Sequence, residues 1–117
     1  MTSLILFLSL LISFQLHAKP VEKLKDIPTA VVKFCYDSSG RIADVGQPWE
    51  ISDTGDNKLP RSILVGACQN SSTDWSILCQ KGGYASSYHL VRVKKFKLGW
   101  KKFSNEQSPN LPAFKCQ

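Results

Sequence analysis

The sequence predicts an all-β domain, a small disulfide-stabilised antiparallel sandwich or barrel of about six strands. Three observations carry this expectation. Turn-forming clusters recur about every 8 to 12 residues, no long helical apolar period appears, and an even set of four cysteines, Cys35, Cys68, Cys79 and Cys116, is spread along the chain. The 117 residues are 43% hydrophobic and 21% charged with 7 Gly and 6 Pro, a composition that excludes disordered, collagen-like and coiled-coil chains.

Residues 1–18 (MTSLILFLSLLISFQLHA) resemble a secretory signal peptide, with an apolar run from Leu4 to Phe14 broken only by Ser9 and Ser13. That run falls short of the roughly 20 apolar residues of a membrane-spanning helix, so no transmembrane anchoring is expected after its removal. The expected location is secreted or periplasmic. In such a compartment cysteines pair by default.

Residues 19–28 lack a sustained apolar period and read as a flexible leader with at most a helical turn; residues 29–117 read as a single β domain. The stretch 29–36 (TAVVKFCY) is rich in β-branched and aromatic residues, with Val32, Phe34 and Tyr36 on one face, and predicts the first strand. Ser38, Ser39 and Gly40 turn the chain. Residues 42–45 and 49–52 predict a broken edge strand, because Pro48 cannot donate to a central ladder. A loop follows at 53–60. The runs 62–68 (SILVGAC) and 75–80 (WSILCQ) flank the turn residues Asn70 to Asp74 and predict a hairpin. The run 87–103 places Val91 and Val93 at odd positions but Phe96, Leu98 and Trp100 at even ones. A bulge or tight bend at Lys94 and Lys95 is the expected cause of this phase change. The proline-bearing tail predicts an extended segment fixed by Cys116.

The hairpin spacing predicts a disulfide between Cys68 and Cys79, which leaves Cys35 for Cys116. With no CxxC pair and His89 the single histidine after residue 18, no metal site and no cofactor is expected. The triplet Asn70-Ser71-Ser72 is a glycosylation sequon that signifies modification only in a eukaryotic host.

Charge supplies the main functional signal. Fifteen Lys and Arg against nine Asp and Glu give a net charge of +6. Residues 37–56 hold five acids (Asp37, Asp44, Glu50, Asp53, Asp56) against Arg41, whereas residues 81–102 hold seven bases and no acid. If a bulge lies at Lys94 and Lys95, then Arg92, Lys94, Lys95, Lys97 and Lys101 line one face as a basic stripe. The expected function is a non-catalytic binding module whose partner is anionic: a glycan, a lipid head group or an acidic protein. Nucleic acid is disfavoured, because the same register turns Phe96, Trp100 and Phe103 to the opposite face, where they pack and do not stack on bases. No catalytic residue is assigned in that reading. The alternative is a small secreted hydrolase of ribonuclease type, in which Glu50, Arg61 and His89 supply base, cation and acid.

Overall fold

The computed structural model describes residues 18–52, 58–83 and 85–116. The all-β expectation holds. Five antiparallel strands form one sheet in chain order, β1 (Lys19–Val21), β2 (Ser62–Ser71), β3 (Asp74–Lys81), β4 (Ser87–Phe96) and β5 (Gly99–Ser108). Alternation sends Leu64, Ala67, Trp75, Ile77, Cys79, Val91 and Val93 to one face, where all are buried. Burial of this face is the main hydrophobic contribution to stability.

What covers that face departs from the expected first strand. Residues 29–35 form helix α1 (Thr29–Val32) and a 3₁₀ turn (Lys33–Cys35), preceded by a 3₁₀ turn at Leu24–Asp26. The alternation read at 29–36 competes with a second pattern, Val31 and Cys35 four residues apart, which a helical segment stacks on one side. Both are buried in the core cluster together with Ile27, which precedes the helix, and Leu24, Phe34, Tyr36 and Ile42 pack against the cluster. β-branched residues cost a short helix only a few tenths of a kcal/mol each. Burial of Val31, Val32 and Cys35 outweighs that.

The expected disulfide pairing is also overturned. The bonds are Cys35–Cys79 and Cys68–Cys116, not Cys68–Cys79 and Cys35–Cys116. In the β2–β3 register Cys68 lies across from Ser76, and Cys79 across from Leu64, so the two cysteines point to opposite faces of the sheet. Each bond therefore fastens a different cover. Cys35–Cys79 ties the helical segment to one face. Cys68–Cys116 ties the tail to the other, where the Phe114 ring lies 3.5 Å from where a Cβ on Gly66 would stand.

Lys19–Val21, expected within the flexible leader, pair with Gln69–Ala67 as the short edge strand β1. The broken strand at 42–45 and 49–52 reduces to a single parallel bridge between Ala43 and Ile63. Residues 50 and 51 instead cross over Gly82, where a Cβ would stand 2.6 Å from both their carbonyl oxygens; glycine is required there by close approach.

The run 87–103 is a hairpin, not one bulged strand. β4 continues unbroken through Lys94 and Lys95 to Phe96, the chain turns at Lys97 and Leu98, and β5 returns from Gly99. The register does shift, but on β5: Arg92 faces Ser104 and Val93 faces Lys102, leaving Phe103 as the extra residue. Two strands, each with its own alternation, produce the phase change seen in the sequence.

Candidate functional site

The far end of the β4–β5 hairpin gathers most of the basic residues singled out in the sequence. β3 begins at Asp74, opposite Lys94, so beyond that point the hairpin has no third strand beside it. Lys94 lies directly across from Lys101, Lys95 across from Trp100 and Phe96 across from Gly99, closing on the two-residue turn of Lys97 and Leu98. Gly99 takes φ +122°, a conformation that L side chains rarely adopt, which fits it to the exit of so tight a turn.

The register divides the expected stripe. Arg92, Lys94 and Lys101 share one face, Lys95 points to the other beside Trp100, and Lys97 sits in the turn. The site is a basic tip. Trp100 packs against the buried core cluster, as expected of an inward aromatic. Phe96 and Phe103 do not: they are 51% and 56% exposed and lie on the same side as the cations, contrary to the expectation that they face away. The Lys94 ammonium stands 4.3 Å from the Phe103 ring centroid and the Arg92 guanidinium 5.7 Å from it, while Lys101 lies 6.0 Å from Phe96. These are cation–π distances. Leu98, at the apex, is 92% exposed and lines a shallow concavity with Phe96, Lys97 and Lys101.

Sequence reasoning missed Phe96, Leu98 and Phe103 as site residues. The signal was present in KLG at 97–99, a short glycine-containing link between two apolar-alternating runs that reads as a hairpin turn.

The acidic segment does not neutralise this tip within the described residues. The Asp37 carboxylate accepts backbone N–H bonds from Ser39, Arg41 and Arg61 at 2.8 to 2.9 Å. Partial burial alone would raise its pKa, but these bonds and the Ser39 hydroxyl together pull it down to about 2. Asp44 accepts from the backbones of Leu24 and Val45, and Glu50 from Ser52. Asp53 and Asp56 lie outside the described residues. Among the described residues the carboxylate that meets the basic end is Asp74, 3.2 Å from Arg92. The Asn70 amide donates to Asp74 and Ser76, which gives the sequon asparagine a structural use at the same end.

His89, the acid of the hydrolase alternative, has other partners. The two ring nitrogens of His89 contact Ser87 Oγ at 3.0 Å and Asn105 Oδ1 at 3.3 Å, so neither is turned to Glu50 or Arg61. Burial lowers its pKa, and Lys81 and Lys102 lower it further against the opposing Asn105 bond, so its surroundings disfavour the protonated ring. A general acid needs the protonated ring. The Ser87–His89–Asn105 chain has the order of a nucleophile relay, but Ser87 is only 7% exposed and its oxygen already accepts from the Gln107 amide at 3.1 Å. The chain is a polar lock between β4 and β5.

No group of three or more His, Cys, Asp or Glu among the described residues is arranged to hold a metal ion, and no helix among them is long and apolar enough to cross a membrane. No family model matches the chain, and neither the curated proteins nor the solved structures contain a significant match to it.

Proposed function

We propose that the chain is an exported, non-catalytic binding module that recognises an anionic partner through the basic tip formed by Arg92, Lys94, Lys95, Lys97 and Lys101. The observation that carries this reading is the direct cross-strand pairing of Lys94 with Lys101. Like charges facing each other across a hairpin are destabilising, so the pair costs stability in the free chain. An anion seated between them relieves the repulsion. Export is supported by the signal-like residues 1–18 and by two disulfides that close chain separations of 44 and 48 residues, which an oxidising compartment outside the cytoplasm maintains.

The test is binding to immobilised heparin, used as a generic polyanion, at rising ionic strength. The Debye length falls from about 10 Å at 0.1 M to about 3 Å at 1 M, so retention set by the tip is lost over that range. Replacing Lys94, Lys97 and Lys101 by glutamine removes binding, whereas replacing Lys23, Lys25 and Lys115, an equal loss of charge elsewhere, leaves most of it. Equal losses in the two variants overturn the reading and reduce the effect to net charge.

A further inference from the structure

Resting on that anion-binding reading, we propose that the partner is an anionic bilayer surface, into which the hairpin apex inserts Leu98 and Phe96 while Lys94, Lys97 and Lys101 hold lipid phosphates. Cations alone suit any polyanion. The apolar side chains at the same apex narrow the choice: Leu98 is 92% exposed and Phe96 51%, on a tip only two strands wide. A sulfated glycan offers nothing for a leucine to bury against. A folded acidic protein would need a pocket shaped to receive a convex turn.

A bilayer interface meets both demands, because it is soft, accepts apolar groups about 5 to 10 Å deep, and carries its negative charge just above that depth. The side chains are arranged in that order. Leu98 stands at the apex, Lys97 beside it can extend its stem outward, and Lys94 and Lys101 follow three or four residues back along the two strands. Lys101 and Phe96 share one concavity with the apex residues, so charge and apolar surface reach the interface together. The turn between β2 and β3 that flanks the tip carries Ser72 and Thr73, uncharged residues that do not oppose approach to an anionic surface.

The experiment is flotation of the purified protein with vesicles of about 30% phosphatidylglycerol in phosphatidylcholine, beside pure phosphatidylcholine vesicles and the heparin column. Wild type floats with the anionic vesicles and not with the neutral ones. Leu98→Ser with Phe96→Ser weakens vesicle binding about tenfold or more, a far larger loss than on heparin. Each Lys→Gln change at 94, 97 or 101 weakens both, by about fivefold on vesicles. As a second readout, Leu98→Trp gives an emission that shifts to the blue on anionic vesicles. Serine variants that float like wild type, or a residue 98 indole whose emission does not move, overturn the inference and leave anion binding standing. Retention on heparin without flotation assigns the tip to a polyanionic glycan instead. Loss of neither activity on removing the three lysines overturns the underlying reading itself.

Discussion

The covered middle of the sheet and the free end of its β4–β5 hairpin are built from the same kinds of side chain under opposite constraints. In the middle, Ile77, Val91 and Val93 lie beneath the helical segment that Cys35–Cys79 fastens in place. At the free end, Phe96, Leu98 and Phe103 lie among lysines and stay 51%, 92% and 56% exposed. The charges differ in the same way. Asp37 spends its carboxylate on three backbone N–H groups, whereas Lys94 and Lys101 face each other. One region is satisfied by the fold, and the other carries like charges and exposed apolar side chains. The two can be altered separately.

The largest expected effect is on the covered side. Replacing Cys35 and Cys79 together by serine frees a chain separation of 44 residues and costs about 4 kcal/mol of stability. Urea unfolding without reductant measures it. A loss under about 1 kcal/mol would mean that the helical cover is held by packing and not by the bond.

Next is a paired truncation. Ile77→Ala removes a fully buried side chain and costs about 3 kcal/mol. Leu98→Ser at the exposed apex stays within about 0.5 kcal/mol. Similar midpoints for the two variants in thermal melts would erase the distinction between the regions.

A smaller effect belongs to Asp37. Its folded pKa of about 2 lies below the ordinary 3.8, so its contribution is present above pH 3.8 and is lost as pH falls through about 2. Solvent screening holds the loss to about 1 kcal/mol. Asp37→Asn, compared with wild type from pH 5 to pH 2, flattens that part of the acid limb. An unchanged slope would show that its hydrogen bonds do not favour the charged form.

The smallest stability change is the sharpest for function. Lys101→Glu turns the like-charged pair with Lys94 into an opposite one, which raises stability by about 0.5 kcal/mol while removing anion binding. A variant that gains stability and keeps its binding would show that the pair is not the binding feature.

The hairpin of 62–71 and 74–81 was legible because two apolar, β-branched runs flank the turn residues 70–74, and 87–96 was legible as strand although its end at Phe96 was not. Residues 29–36 were misread because two periods coexist there. Alternation in two and the four-residue spacing of Val31 and Cys35 fit the same eight residues, and only the sheet face waiting to be covered chooses between them. The basic residues of the tip were legible as a charge run, yet their arrangement was not. A bulge in one strand and a turn between two give the same phase change along the chain but send Phe96 and Phe103 to opposite sides.

Local sequence was enough for the all-β class, the hairpin strands at 62–71 and 74–81 with the turn between them, the even cysteine set and the segregation of acidic from basic residues. These are properties of neighbours within a few positions, fixed by propensity and by side-chain period. Tertiary structure alone decided which cysteines meet, which cover lies on which face, and that a basic run becomes a tip carrying exposed apolar side chains. The reason is register. A one-residue offset between paired strands moves a side chain from one face of the sheet to the other, and that offset is set by bulges and turns acting across the sheet, as it is for Cys68 and Cys79.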